Sequence, residues 1–292
     1  MGRAIRILVV TLAILPVFLS PTAPARAAGT PGVSVAPQAG AVGTQFELLG
    51  AGWAARETVL VNVTPPGSSA ATLEATADGN GRFRLTLDST FYQEGVTYAI
   101  TAAGSGQATT RFATVANQTE RCFTSETGQC VRGRFLDYWE ARGGLAINGY
   151  PLSPEFNEIL EDGRPYTVQY FERTRLEYHP ENAAPNDILL GQFGRRIHPA
   201  DPPASPDTSQ TWFPQTGHNV PSDFYTYWSS NGGLAQFGLP LSEAFQQRLE
   251  DNKTYRVQYF ERARFEYHPE QQAPYMIQLG QFGRLMLAQA QR

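Results

Sequence analysis

The five residues QYFER at positions 169–173 occur again at positions 258–262, and this repetition decides the fold of most of the chain. When the sequence is shifted by 89 residues, positions 127–195 align with positions 216–284 without a gap, and 40 of the 69 aligned residues are identical. Self-similarity at a fixed period is the signature of a repeat architecture. We therefore predict that two copies of one structural unit follow each other in the chain.

Each copy should be a small α+β unit. Phe135, Tyr138 and Trp139 are spaced as on one face of a short helix. Positions 166–171 and 175–179 alternate between apolar and polar residues and are rich in β-forming side chains. This pattern predicts a hairpin after the helix.

The region before the repeats is rich in short alternating segments. Between residues 31 and 116 these segments recur about every ten residues, separated by Gly, Pro, Asn and Asp. The pattern indicates a β-sandwich and resembles bacterial immunoglobulin-like modules, with Tyr98 as the corner tyrosine. Residues 78–81, DGNG, should form a tight hairpin turn. The predicted fold class is mainly β: an immunoglobulin-like β-sandwich followed by two small α+β repeat units.

The N-terminal residues have the pattern of a secretory signal peptide. Arg3 and Arg6 precede an apolar run at 7–19, and residues 25–27, ARA, offer small side chains at the spacing that signal peptidase reads. A membrane anchor is the alternative, but a spanning helix needs about 20 apolar residues. We expect an exported protein, secreted or held at the cell surface, with no membrane span after cleavage.

These patterns set the predicted boundaries and limit the partners. The segments are a signal peptide at 1–28, the sandwich at 31–116, the first repeat at 120–198, a stiff Pro-rich linker at 199–211 and the second repeat at 212–288. The formal net charge is −4, and Lys and Arg are not clustered. Nucleic acid is therefore not an expected partner, because binding phosphates needs clustered cations.

The two cysteines, Cys122 and Cys130, should form a disulfide in an oxidising compartment. A two-ligand metal site is the alternative, but no His lies near them in the sequence. In the alignment of the repeats, Cys122 falls close to Trp212 and Cys130 falls on Asn219. We therefore predict that the second copy closes the same turn with an aromatic ring.

Three elements of the repeat resemble the LGFP-type repeat of bacterial cell-surface proteins. They are an aromatic residue before the pair Gly143-Gly144, the element GYP at 149–151 and the element LGQFG at 190–194. The unit is longer than a typical LGFP repeat, and its YFER and YHPE elements are additions. The resemblance implies that the repeats hold the protein to the cell wall.

Aromatic residues are the candidate ligand-binding residues, because sugars stack their C–H faces on Tyr and Trp rings. The alternative is that these rings fill the core of a unit with few Leu and Ile, since aromatic side chains bury large areas. The candidates are Tyr138, Trp139, Tyr150, Tyr170 and Tyr178 in the first repeat and Tyr227, Trp228, Tyr259 and Tyr267 in the second.

A set of charged residues should share one face of a strand in each copy, because alternate strand residues point the same way. The set is Arg175, Glu177 and His179, repeated as Arg264, Glu266 and His268. We interpret it as a structural ladder of ion pairs. A catalytic or metal site is the alternative, but one His per copy is too few for zinc, which needs three or four ligands. We expect no catalytic residues, no metal and no cofactor.

Three functions remain open from the sequence. The first is a non-enzymatic protein whose aromatic repeats attach to cell-wall or matrix glycan, and the second is a protein–protein adhesion or scaffold module that uses the sandwich. The third is a hydrolase that uses carboxylates such as Glu172 and Glu177, which would need paired carboxylates about 5–10 Å apart across an open cleft. The absence of a recognisable catalytic motif and the duplication favour the first, since active sites are usually single.

Overall fold

A computed structural model of the chain describes residues 29–115 and 120–290. The predicted signal peptide, at 1–28, lies outside the described residues. The fold is mainly β, as predicted, with 39% of the described residues in strands and 17% in helices. Within the described residues, no helix has both the length and the apolar composition that crossing a membrane requires.

The first structural unit is a sandwich of two β-sheets. Its elements are β1 (Gly32–Ala36), β2 (Ala39–Gly40), β3 (Gln45–Ala51), β4 (Thr58–Thr64), β5 (Ala71–Thr76), β6 (Phe83–Asp88), a 3₁₀ turn (Ser89–Phe91), β7 (Thr97–Ala103) and β8 (Gln107–Thr114). One sheet has the order β1-β3-β6 and the other has the order β2-β8-β7-β4-β5. Both sheets alternate buried apolar and exposed residues, and their buried faces close on one core.

The core of the sandwich explains its alternating sequence. In β4, Val59, Val61 and Val63 are buried while the residues between them face outward or are half-buried. The hydroxyl of Tyr98 accepts a hydrogen bond from the backbone N–H of Gln93 at 2.7 Å. This is the contact expected of a corner tyrosine, which ties a strand to the chain a few residues before it.

Residues 78–81 form a turn, but the predicted hairpin is wrong. The turn joins β5, at the edge of one sheet, to β6, at the edge of the other. The Asp78 carboxylate accepts hydrogen bonds from the N–H groups of Asn80 and Arg82 at 2.8 and 2.9 Å, and Gly81 has φ of +72°. Turn chemistry of this kind indicates where the chain reverses, but not which sheet receives the next strand.

The two repeats contain the same elements in the same order. The first has β9 (Glu120–Phe123), β10 (Gln129–Arg132), α1 (Gly133–Ala141), α2 (Gly144–Ile147), β11 (Phe156–Ile159), β12 (Pro165–Tyr170), β13 (Arg175–Tyr178), β14 (Ile188–Leu190) and α3 (Phe193–Ile197). The second has β15 (Thr211–Phe213), β16 (His218–Val220), α4 (Ser222–Ser230), α5 (Gly233–Phe237), β17 (Phe245–Arg248), β18 (Thr254–Tyr259), β19 (Arg264–Tyr267), β20 (Ile277–Leu279) and α6 (Phe282–Ala290).

Each repeat combines a two-stranded hairpin, helices and a four-stranded antiparallel sheet. The predicted helix and the predicted hairpin are α1 and the pair β12–β13. In α1, Phe135, Leu136 and Trp139 are buried and Asp137 and Glu140 are exposed, so one helix face packs on the sheet. The repeat contains more strands than predicted, because the short strands β11 and β14 flank the predicted hairpin on both sides.

Each repeat has a hydrophobic core of its own, and a further core cluster joins the two repeats. All six residues of β12 are buried, because one face of the strand packs against β18 of the second repeat and the other is covered by the sandwich and by its own repeat. The contacts are reciprocal: Arg195 N donates to Glu261 O, and the equivalent Arg284 N donates to Glu172 O, both at 3.1 Å. Reciprocal contacts between equivalent residues define a two-fold relationship. The repeats are therefore a paired unit rather than two beads on a string.

The segment at 199–211 lies against the second repeat and contains no regular structure before Thr211. Its backbone is tied down at several points. Asp201 N donates to Leu241 O, and Ala204 N donates to Gly217 O, each at 2.8 Å. The segment therefore contributes to packing, in addition to joining the repeats.

The sandwich docks on the outer face of the sheet in the first repeat. The Thr167 hydroxyl donates to Val35 O at 2.8 Å, and the Asn157 amide donates to Glu47 O at 2.8 Å. The equivalent face of the second repeat carries no domain in the described chain. The two repeats thus have the same fold but different outer surroundings.

Candidate functional site

The nine candidate aromatic residues fall into two groups in the structure. Four are buried, with 5% or less of the side chain exposed: Trp139, Tyr170, Tyr178 and Tyr259. Five are half-buried: Tyr138, Tyr150, Tyr227, Trp228 and Tyr267. The buried rings are core residues and offer no open face to a sugar. Any stacking on these candidates must therefore use the half-buried group.

The polar ends of the buried rings are fixed by hydrogen bonds. Trp139 Nε1 donates to Gly149 O at 3.1 Å, and the Tyr170 hydroxyl lies 3.0 and 3.1 Å from the two carboxylate oxygens of Glu158. Burial raises the pKa of Tyr170 to about 12. The Tyr170 hydroxyl therefore remains a neutral donor, and its contact with Glu158 anchors the ring in the core.

Trp139 and its equivalent in the second repeat, Trp228, are covered by different side chains. In the first repeat the Arg121 guanidinium lies 5.1 Å from the Trp139 ring centre. In the second repeat Thr211 takes the place of Arg121. Thr211 faces Val220 across its hairpin, and Arg121 faces the equivalent Val131. Trp228 is only half-buried there. Its ring is the more accessible of the two.

The predicted disulfide is confirmed: Cys122 and Cys130 are bonded to each other. They face each other across the β9–β10 hairpin, and Trp212 faces Asn219 at the equivalent place in the second repeat. Glu120 lies near both sulfurs, but disulfide sulfurs are not available as thiolate ligands. Trp212 thus occupies the position of Cys122 in the second hairpin, as the alignment of the repeats predicts.

The predicted ladder of charged residues is present in both copies. Arg175 Nε donates to Glu177 at 2.8 Å, and His179 Nε2 lies 3.4 Å from the other oxygen of Glu177. In the second repeat the matching distances are 2.8 Å for Arg264 to Glu266 and 3.2 Å for His268 to Glu266. Each glutamate is held between two basic groups.

Burial and charge act in opposite directions on this ladder. Burial alone would lower the pKa of Arg175 and of His179, because it disfavours the charged form. For Arg175 burial is the largest single influence, but the charges of Glu177 and Glu158 and the contact with Tyr170 together outweigh it and raise the pKa. For His179 the hydrogen bonds and charges of Glu177 and Glu181 together outweigh burial in the same way, so its pKa lies above the usual range. The ladder therefore stabilises its own charged state.

Two equivalent pockets open beside the ladders. The first pocket, of about 490 Å³, belongs to the first repeat and is lined by Leu160, Glu161, Asp162, Tyr166, Glu177, His179, Leu189, Leu190, Gln192, Arg195, Arg196 and Arg262. The second pocket, of about 540 Å³, includes the equivalent residues Leu249, Glu250, Asp251, Tyr255, Glu266, His268, Gln278, Leu279, Gln281, Arg284, Leu285 and Arg173. Both volumes fall in the range of sites for small ligands.

The linings of the two pockets have diverged less than the repeats as a whole. Ten of the twelve residues of the first pocket are identical in the second, against 40 of 69 over the aligned repeats.

The surface that docks the sandwich has kept fewer residues in common between the two copies. Four side chains of the first repeat hydrogen-bond the sandwich, and three of them, Glu155, Asn157 and Thr167, are replaced in the second repeat. Residues have changed where the two copies have different surroundings and have been kept around the pockets.

The pocket lining combines hydrogen-bond donors and acceptors with apolar side chains. Carboxylates, an amide and a phenol hydroxyl accept, guanidiniums donate, and Leu side chains add apolar surface. The carboxylates named for a hydrolase, Glu172 and Glu177, are both bound by basic side chains. This arrangement is suited to holding a polyhydroxylated ligand by many hydrogen bonds.

Sequence reasoning included the ladder but missed the rest of the pocket. The missed residues of the first pocket include Glu161, Asp162, Tyr166, Gln192 and Arg262. A signal was present, because all five are identical in the two copies at polar positions outside the predicted core. What the sequence could not show was that Arg262 reaches the pocket of the other repeat.

Comparison with known proteins gives no family assignment. The resemblance to LGFP-type repeats and to immunoglobulin-like modules therefore stays a prediction from motifs. No family model and no curated protein matches this chain.

Proposed function

We propose that this is an exported, non-catalytic binding or anchoring protein, and that its paired repeats attach to cell-wall or matrix glycan through the two pockets. The observation that carries the proposal is the equivalence of the pockets: both have about the same volume and ten of twelve lining residues in common. A duplicated pocket in a paired unit favours repeated binding of a repeating ligand. Two linked sites can raise overall affinity roughly 10²–10⁴-fold.

The chemistry of the lining supports a sugar ligand. A sugar hydroxyl both donates and accepts, so its site needs groups of both kinds close together. Gln281, Glu250 and Arg284 supply them in the second pocket, and Leu249 and Leu279 supply apolar surface for the C–H groups of a ring. The predicted signal peptide and the resemblance to LGFP-type repeats agree with a ligand outside the cell. The immunoglobulin-like sandwich would act as a spacer docked on the first repeat.

The adhesion and hydrolase alternatives have less support. Adhesion through the sandwich would need exposed apolar surface concentrated there, yet of nine exposed large apolar side chains in the described chain six lie on the repeats. A hydrolase would need free carboxylates, and Glu172 and Glu177 are engaged in ion pairs. A hydrolase would become the better proposal if an activity screen gave a signal that the Glu177→Gln, Glu266→Gln double variant loses while circular dichroism shows that the variant is still folded.

A pull-down on purified cell wall and on separate polysaccharides tests the proposal. Gln192 and Gln281 are exposed and line the two pockets, so the double variant Gln192→Trp, Gln281→Trp should block both. Gln272→Trp is a matched control on an exposed turn away from both linings. We expect the wild type and the control to be retained and the double variant to be released. Retention on a protein partner and on no glycan would reject the proposal.

A further inference from the structure

One arginine in each repeat lies in the pocket of the other repeat. Arg173 belongs to the first repeat and lines the second pocket, and Arg262 belongs to the second repeat and lines the first pocket. Neither pocket is therefore complete within a single repeat. This exchange is a direct result of the two-fold pairing.

The position of each arginine is set by the hairpin turn that carries it. The turn after β12 is held against α6 of the other repeat, because Glu172 O accepts from Arg284 N at 3.1 Å. Arg173 follows in the chain, and its Nη1 donates to Leu145 O at 2.9 Å. Arg262 makes the same contact with Leu234 O at 3.0 Å. Both guanidiniums are thus fixed at a pocket wall by backbone contacts.

The two exchanged arginines differ from the other arginines of the pockets in their charge balance. Arg195, Arg196, Arg264 and Arg284 each form an ion pair with a glutamate. Within the part of the chain that the structure describes, Arg173 and Arg262 have no carboxylate partner. Their Nε atoms are buried without any acceptor.

The acidic groups of the pockets, in contrast, are already engaged. In the first pocket Glu177 is bound by Arg175 and His179, and Glu161 is bound by Arg175 and Arg196. Asp162 accepts from the hydroxyl of Tyr166 at 2.7 Å and from a backbone N–H. The arginine without an ion-pair partner at each pocket therefore comes from the other repeat.

We propose that each pocket binds a carboxylate-bearing sugar, and that the exchanged arginine, Arg262 in the first pocket and Arg173 in the second, binds its carboxylate. This inference rests on the proposed glycan-binding function and specifies the ligand class. A planar guanidinium with free N–H groups matches a carboxylate, and such charge-assisted hydrogen bonds are about twice as strong as neutral ones.

Calorimetric titration with matched ligands tests the charge. The probes are short oligomers of galacturonate and of mannuronate, each as the free acid and as the fully methyl-esterified, neutral form, titrated into the mature full-length protein. We expect the free acid of at least one oligomer to bind with two sites per chain and its ester to bind at least about 10-fold more weakly. Arg173→Gln, Arg262→Gln should weaken binding of the acid by a similar factor and leave the ester unchanged. Arg248→Gln, which removes an exposed charge outside both pockets, is the control.

Paired variants test the exchange between repeats. Arg173→Gln with Gln281→Trp places both changes in the second pocket, so one normal site should remain. Arg173→Gln with Gln192→Trp places one change in each pocket, so no normal site should remain. If each arginine served its own repeat, these two results would be reversed, and the exchange would be refuted. Arg173→Lys keeps the charge without the planar fork and should bind between Arg173→Gln and the wild type, which separates lost recognition from lost folding.

The remaining outcomes separate this inference from the function on which it rests. Equal affinity for the acids and their esters, together with retention on cell wall that Gln192→Trp, Gln281→Trp abolishes, would overturn the carboxylate assignment and leave the glycan-binding proposal standing. No binding of any oligomer and no retention on cell wall or polysaccharide would overturn both.

Discussion

Replacing Gly194 or Gly283 with Ala should break the pairing of the repeats. These glycines are equivalent and lie at the start of α3 and α6. A Cβ at Gly194 would lie 1.8 Å from Phe260 O, and a Cβ at Gly283 would lie 1.9 Å from Phe171 O. In each case the atom struck belongs to the backbone of the other repeat, so no side chain can rotate away.

The size of the effect follows from these distances. An ordinary contact between carbon and oxygen is about 3.3 Å or more, so each helix must move by roughly 1.5 Å. Overpacking of this kind costs about 1–3 kcal/mol, and stretching the hydrogen bond from Arg195 N to Glu261 O adds roughly 0.5–1.5 kcal/mol. We therefore expect each substitution to lower the free energy of unfolding by about 2–4 kcal/mol. Intrinsic helix propensity would act the other way, because Ala favours helix over Gly by up to about 1 kcal/mol.

Differential scanning calorimetry of the mature protein measures this effect. At roughly 2–4 °C per kcal/mol for a unit of this size, the transition of the repeats should fall by about 5–15 °C in Gly194→Ala and in Gly283→Ala alike. The two substitutions disturb one interface, so the double variant should lose less than the sum of the losses in the two single variants. Gly79→Ala is the control, because no heavy atom lies within 4 Å of its added Cβ. If both alanine variants melt like the wild type, the two-fold pairing described above is refuted.

Three further predictions concern the disulfide and the carboxylates of Glu155 and Glu177. Cys122→Ser, Cys130→Ser should lower the melting temperature by a few degrees, since closing a short loop contributes roughly 2–3 kcal/mol, while binding is kept; the unreduced wild type should be about two mass units lighter than the reduced form. Burial raises the pKa of Glu155 from 4.5 to about 7, in spite of a hydrogen bond from the N–H of Gln38 and the charge of Arg132. Because the folded state then binds the proton more tightly, the free energy of unfolding should fall as the pH rises from about 4.5 to about 7 and level off above it; urea titrations should show this slope in the wild type and not in Glu155→Gln. Glu177→Gln removes the nearest of three carboxylates from Arg175, an arginine with 1% of its side chain exposed that keeps Glu158 and Glu161, and should lower the free energy of unfolding by about 1.5–3 kcal/mol; a loss below about 1 kcal/mol in the same titrations would contradict the structural role of the ladder.

The duplication made much of this fold predictable from the sequence. The helix at Phe135 to Trp139 and the hairpin from β12 to β13 could be predicted because their apolar residues follow the periods of a helix and a strand. The disulfide followed from the presence of two neighbouring cysteines in a chain expected to be exported, and the position of Trp212 in the second copy followed from aligning the copies. The same comparison contained the signal for the pockets, because the polar residues Glu161, Asp162 and Gln192 recur unchanged in the second copy.

The parts that sequence patterns could not predict depend on contacts between distant segments. The turn at 78–81 changes sheet, which depends on how the two sheets pack rather than on the turn residues. The helix at Phe193–Ile197 has five residues, too few for a helical period to be recognised. Gly194 in this helix resembles a loop glycine in the sequence. A glycine is required there because the backbone of Phe260, in the other repeat, leaves no room for a Cβ. The placement of Arg173 and Arg262 in each other's pockets follows from that contact, and no periodicity in the sequence predicts it.

The reciprocal insertion of α3 and α6 also limits how such a protein can evolve. Each copy has one contact surface of this kind, and that surface is buried against the other copy. The pair is therefore a closed assembly with no free interface of the same kind. A third copy appended to the chain would find no partner surface, unlike a unit in a solenoid, which can stack indefinitely. A chain with one such unit should form a homodimer with the same interface, and fusion of two such genes would produce the present arrangement. We therefore expect this unit to occur in even numbers, or as single units that dimerise.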